Sequence, residues 1–187
     1  MLKPIRSSRL GFVAWLAWAT VCFPAVIQGQ KSEIGVQLSG MHLHKIDEAP
    51  LGIGARYHYN FVPLVAADVE LMHYPSNPSG NFGETTALAG VRAGKCFDSF
   101  GIFASARPGI IHFGGAYFSQ RLDEKTHLML NVGGMLEYYP NKKVFVRVDM
   151  NDAIIYYGNA RLFSRLNPDP LGTVHNFQPG FGFGFRF

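Results

Sequence analysis

The chain has 187 residues, 48% of them hydrophobic and 16% charged, against about a quarter charged in an ordinary soluble domain. That excludes a disordered or heavily solvated chain, and the length suits a single domain. The formal charge of +4 is largely local, because Lys3, Arg6 and Arg9 precede an apolar run from Leu10 to Ile27. Beyond them fourteen Lys and Arg face thirteen Asp and Glu, a balance with no electrostatic footprint for nucleic acid.

Cations, then an apolar run, then the small residue Gly29 make the pattern of a secretory signal peptide. We read residues 1–29 as that signal and residues 30–187 as one mature domain. Cys22 falls inside the signal, and Val21 stands where lipid attachment prefers a small residue. Cys96 is then the one mature cysteine, and no internal disulfide is expected.

After Gln30 apolar residues recur at every second position, the period of a half-buried strand. Eight segments show it. The first sets Ile34, Val36 and Leu38 against Glu33, Gln37 and Ser39; the second sets Leu51, Ile53, Ala55, Tyr57 and Tyr59 against Arg56, His58 and Asn60. The third opposes Val65, Ala67, Val69 and Leu71 to Asp68 and Glu70, and the fourth opposes Ala87, Ala89, Val91 and Ala93 to Thr86, Gly90 and Arg92. In the fifth, Ile102, Ala104, Ala106 and Ile110 face away from Ser105 and Arg107, with Phe103 and Ile111 breaking the rule. The sixth places Leu128, Leu130, Val132, Leu136 and Tyr138 opposite Asn131, Gly133 and Glu137, and the seventh places Val144, Val146, Val148 and Met150 opposite Arg147, Asp149 and Asn151. In the eighth, Phe177, Phe181, Phe183, Phe185 and Phe187 alternate with Gln178, three glycines and Arg186.

Short connections near residues 60–63, 96–99 and 140–143 alternate with long ones near 43–49, 75–83, 114–125 and 158–173. Regular alternation of turns and long loops is the plan of an up-and-down membrane barrel. The fold class expected is therefore all-β: an eight-stranded antiparallel up-and-down transmembrane barrel behind a signal peptide.

A soluble lipocalin-like barrel would also alternate with period two, so the polar face decides. It carries Arg56, Arg92, Arg107, Arg147 and Arg186 with Glu33, Asp68, Glu70, Glu137 and Asp149, five cations balanced by five anions. Solvent would need no such balance, whereas a narrow lumen does, because a buried unpaired charge costs several kcal/mol. The opposite face has no charge along its middle apart from Lys95 beside the turn at Cys96, whose stem can carry the ammonium to an interface. Aromatics are expected at two levels. Tyr57, Tyr59, Phe61, Phe97, Phe100, Tyr138, Tyr139, Phe185 and Phe187 would form a girdle at the turn end; Tyr74, Phe82, Tyr117, Phe118, Tyr156 and Tyr157 would form one at the loop end. In the last strand the glycines would make room for the interior charges.

The terminal GFGFRF, with Gly182, Phe185 and Phe187, resembles the assembly signal of small bacterial outer-membrane barrels of the OmpA type. Gly180 departs from it, a polar residue being common there. The stretches Gly90 to Gly109 and Leu136 to Met150 are likewise similar to the outer-membrane β-barrel domain family. The resemblance spans the mature chain and implies an outer-membrane location, lipids and the barrel-assembly machinery as partners, a monomer, and architecture more than activity.

Catalytic signals are weak. His73 and Ser76 vaguely resemble the His and Ser of outer-membrane lipid A deacylases, but the spacing is off by one residue and Pro75 lies between them; no enzyme activity is expected. No phosphate loop or dinucleotide fingerprint occurs, and no cofactor is called for. His42, His44, His73, His112, His127 and His175 all map to the loop ends of strands. Such a rim either binds a transition metal or gains charge near pH 6, or is simply wet surface, the reading we favour. The role expected is structural or interactive through the four long loops, whose partners the sequence does not identify. The alternatives are a small channel for ions or hydrophobic solutes and a soluble periplasmic lipid-binding barrel.

Overall fold

The computed structural model describes residues 31–45, 48–75, 83–115, 122, 124–160 and 170–187. The expected signal at 1–29 lies outside these, as do Ser76, Phe82, Tyr117 and Phe118. Among the described residues the chain forms eight strands, β1 (Ser32–Gly40), β2 (Leu51–Val62), β3 (Val65–Tyr74), β4 (Gly83–Cys96), β5 (Phe100–Gly114), β6 (Thr126–Asn141), β7 (Val144–Gly158) and β8 (Gly172–Arg186). Each pairs antiparallel with its sequence neighbours, and the barrel is closed.

Closure joins the first strand to the last, with Ile34 opposite Phe185, Val36 opposite Phe183 and Leu38 opposite Phe181. An open edge in hydrocarbon would leave amides unpaired at several kcal/mol each, so a spanning sheet has to close. The register climbs around the barrel: hydrogen-bonded partners lead from Val36 through Ala55, Leu71, Ala87, Ile110, Leu128 and Tyr156 to Thr173. That stagger is what eight tilted strands need in order to close. Tight turns link β2 to β3, β4 to β5 and β6 to β7; in the last, Asn141 Oδ1 accepts from the backbone N–H groups of Lys143 and Val144 at 2.9 and 3.0 Å. The longer connections all lie at the other end.

Apolar residues point outward and polar ones inward, as the alternation predicts. Val36, Leu71, Leu136, Val148 and Phe181 are exposed, whereas Arg56, Glu70, Arg107, Glu137 and Asp149 are at most 2% exposed. The exterior is that of a transmembrane barrel. Phe103 and Ile111, the exceptions in the fifth segment, face inward and are buried, so β5 keeps its period with apolar residues on both faces.

Glycine in β8 does what bulk would prevent. A Cβ on Gly182 would sit 3.3 Å from Arg147 Nη2, and one on Gly184 would meet Phe145 Cζ at 2.6 Å, so both interior side chains occupy space a larger residue would take.

The aromatic girdles need correcting. Tyr57, Tyr59, Phe61, Phe97, Phe100, Tyr138, Phe185 and Phe187 are exposed at the turn end. Tyr139 faces the lumen, where its hydroxyl donates to Glu137 Oε2 at 2.7 Å. Tyr74 and Tyr157, expected outside, are buried inside, because strand parity puts Tyr74 on the face of Glu70 and Met72 and Tyr157 on that of Ala153 and Ile155. Of the described members of the loop-end set, Tyr156 alone faces out. Asp152, which continues the outward face beyond Met150, is a charge the sequence reading did not place there.

Candidate functional site

The lumen is filled by two different materials. Toward the turn end, alternation delivers a charged side chain from every strand, and those charges make one network. Arg56 on β2 gives Nε to Glu70 Oε2 at 2.8 Å and Nη1 to Asp149 Oδ1 at 3.0 Å, and its Nη2 also reaches Glu70. Arg107 on β5 shares Glu70 at 2.8 Å and approaches Asp68 at 3.4 Å. Its other amino group donates to Asn131, which passes the chain to Gln178 and Tyr74.

Nearer the turns, Arg92 on β4 bridges Glu33 and Glu137 at 2.5 and 2.7 Å with its guanidinium 4.5 Å from the Phe103 ring centroid. Arg186 Nε meets Glu33 Oε1 at 3.1 Å and lies over the Tyr139 ring. Two residues tie the layers together. Arg147 reaches Asp149 at 3.2 Å, Gln37 at 3.0 Å and Glu137 at 3.7 Å. His58 stands between Glu33 and Asp68, 3.1 Å from each.

All ten charged residues singled out from the sequence thus meet in this network. Parity set His58 on the polar face with Arg56, but the sequence reading did not count it among the paired charges. Glu33, His58 and Glu137 bring donor atoms within 4.8 Å of one another, the spacing of a metal cluster. Arg92 holds both of those carboxylates, so a guanidinium already supplies the positive charge that a cation would bring.

Toward the loop end the lumen is apolar. Met72, Leu88, Ile111, Phe113, Met129, Ile155 and Tyr157 from the strands pack with Met41, Leu43, Leu122 and Ala160 from beyond their ends. His127 belongs here and not to the rim: it is 4% exposed, with its ring 4.8 Å from that of Tyr157 and 5.9 Å from that of Phe113. Parity again explains the placement, since Leu128 next to it faces out.

Glu84 is the anomaly of this half. It is 1% exposed, pairs across strands with Phe113, and neither carboxylate oxygen has a hydrogen-bond partner among the described residues. Its level is above the membrane-spanning part of β4, whose apolar exterior stops at Ala87 while Thr85 joins a polar row. Burial, with the charge of Glu48 added, pushes its carboxyl up to about 7.

The remaining rim histidines, His42, His44, His73, His112 and His175, are exposed. His73 Nδ1 is 3.0 Å from Thr85 Oγ1, His112 Nδ1 is 2.8 Å from Thr126 Oγ1, and His175 Nδ1 is 2.7 Å from Asp152 Oδ2. His73 is therefore engaged on the outer wall, and Ser76 lies outside the described residues. Of the terminal residues that resemble an assembly signal, Gly182 lines the lumen beside Arg147, and Phe185 and Phe187 face outward.

Solved structures carry the same architecture. The chain is similar to the N-terminal β-barrel domain of Pseudomonas aeruginosa OprF, with 17% identity over 86% of this chain and 100% of that one and a TM-score of 0.53. It is similar to Neisserial surface protein A, with 13% identity, 83% and 96% coverage and a TM-score of 0.57. The outer membrane protein OprG of Pseudomonas aeruginosa gives 14% identity, 87% and 99% coverage and a TM-score of 0.50. The fold is that of the small OmpA-type outer-membrane barrels. No family model matches the chain, and none of the curated proteins is significantly similar to it in sequence.

Proposed function

We propose that the chain is an integral outer-membrane protein, a sealed monomeric barrel that acts structurally or through the long loops at its outer end. Its insertion would depend on the barrel-assembly machinery reading β8, whose Gly182 and Phe185, with the neighbouring Phe187, resemble an assembly signal. The observation that carries this reading is the inverted section of the barrel: hydrocarbon-compatible residues outside, a neutralised charge network inside, and an apolar seal above it. A lumen of eight strands is only wide enough for side chains, and here two successive layers occupy it. The channel reading would require a water column through Arg56, Glu70, Arg92 and Glu137, all of them paired and nearly fully buried.

Membrane fractionation tests the proposal. The full-length protein expressed in a Gram-negative host should sediment with the outer membrane and migrate faster on gels before boiling than after, as closed barrels do. In planar bilayers it should give no large, steady openings. Recovery in the soluble periplasmic fraction would overturn the membrane reading, and sustained conductance would overturn the sealed one.

A further inference from the structure

The outward histidines stand where the apolar wall ends. His73 on β3, Thr85 on β4, His112 on β5 and Thr126 on β6 are consecutive cross-strand partners, all exposed. Directly below them, toward the turns, runs the apolar row Leu71, Ala87, Ile110 and Leu128. At the seam between β8 and β1 the same change occurs. There His42 donates its backbone N–H to the Phe177 carbonyl at 2.9 Å, His44 donates to Asn176 Oδ1 at 3.0 Å, and the exposed His175 lies next along β8. The level is that of lipid headgroups, where membrane barrels ordinarily carry aromatic girdles. Among the described loop-end girdle residues Tyr156 alone faces outward, and imidazoles take the places.

Hydrogen bonding orients these rings. A threonine hydroxyl can donate to Nδ1, and a neutral imidazole that accepts at Nδ1 carries its proton on Nε2. In that tautomer His73 and His112 each present an N–H donor outward. Asp152, accepting from His175 Nδ1, fixes that ring too. Lys45 and Lys125, both exposed, stand just beyond His44 and Thr126 and add positive charge on the solvent side. Fixed donors backed by ammonium groups match phosphate oxygens, which form strong charge-assisted hydrogen bonds.

We infer that this belt binds the anionic phosphomonoester of lipid headgroups, in preference to a zwitterionic phosphodiester, in the leaflet at the loop end. The inference rests on the membrane reading above, and its test distinguishes the two, because a barrel that inserts without selecting phosphomonoester lipids fails only here.

The wild-type barrel is reconstituted in nanodiscs of phosphatidylcholine with or without phosphatidic acid, and its imidazole nitrogens are followed by NMR. Resonances of His73, His112 and His175 should shift with phosphatidic acid while those of buried His58 and His127 stay in place. Equal inorganic phosphate in plain phosphatidylcholine discs should leave all of them unmoved. In native mass spectrometry the wild type should retain phosphatidic acid over phosphatidylcholine at least fivefold, and the triple variant His73→Gln, His112→Gln, His175→Gln less than twofold. Absent shifts, equal shifts at buried and outward histidines, or the same response to free phosphate would each overturn the inference, and none depends on the triple variant folding.

Discussion

The two halves of the lumen solve the same problem, filling a narrow cylinder, with opposite chemistry. At the turn end, Arg56, Arg92, Arg107 and Arg147 are nearly fully buried and every one of them has acidic partners. At the loop end, Phe113, Ile111 and Ile155 are buried to the same degree in an apolar cluster, and among the described residues Glu84 is the fully buried acid beside it. A charge network is intolerant: each member satisfies several others, so its net stabilisation is small but the loss of one member is costly. An apolar layer is more forgiving, since a missing side chain leaves a cavity that neighbours can partly close. The barrel therefore has a rigid, specified floor and a repackable ceiling. The ceiling adjoins the loops, which vary most in proteins of any fold.

The sharpest way to break this contrast is at Arg56, which holds Glu70 and Asp149 together. Arg56→Leu leaves both acids short of a partner and should destabilise the barrel by about 3 to 5 kcal/mol, read as a fall in the urea midpoint in lipid vesicles. Arg56→Leu combined with Glu70→Leu should recover much of that loss, because removing a pair costs less than orphaning one member. A double variant as unstable as the sum of its singles would mean that Arg56 and Glu70 contribute independently and that mutual satisfaction does not hold the network together.

Phe113→Ala probes the ceiling. Removing a buried phenylalanine costs about 3 to 5 kcal/mol in rigid cores. Next to the loops the low end, about 3 kcal/mol, is expected, with the change confined to the outer half. Hydrogen exchange should quicken at the loop ends of β4, β5 and β7 and remain slow where those strands surround Arg92 and Arg147. Uniform acceleration along the strands would show that floor and ceiling unfold together.

Period-two alternation made most of the floor legible in the sequence, because polar parity and lumen position are the same statement along a regular strand. Arg92 and Glu137, forty-five residues apart, meet because each lies on the inward face of its strand; balanced charge then implied pairing without saying who pairs with whom. The ceiling was invisible for a related reason. Where both faces are apolar, as at Ile110 and Ile111, composition no longer distinguishes inside from out, so Tyr74 and Tyr157 were set on the wrong side by residue type when parity would have placed them correctly, and His127 was counted with the rim. Asp152 was overlooked because the outward face was followed only as far as Met150.

Glu84 is where the ceiling borrows the chemistry of the floor without its partners, and the smallest predicted effect follows from it. Its carboxyl is raised from 4.5 to about 7 in the folded protein. The folded state then holds this proton more tightly than the unfolded chain does, and protonation favours folding below about 7. Stability from this group is complete below pH 4.5 and declines as pH rises through 7, by about 1 to 3 kcal/mol in all. Glu84→Gln, uncharged at every pH, should remove that slope, leaving the variant equal to the wild type near pH 5 and more stable at pH 8. Urea midpoints measured at both values decide the matter: parallel pH profiles for the two proteins would mean that Glu84 acquires a partner or water in the folded barrel and that the ceiling carries no cost of charge.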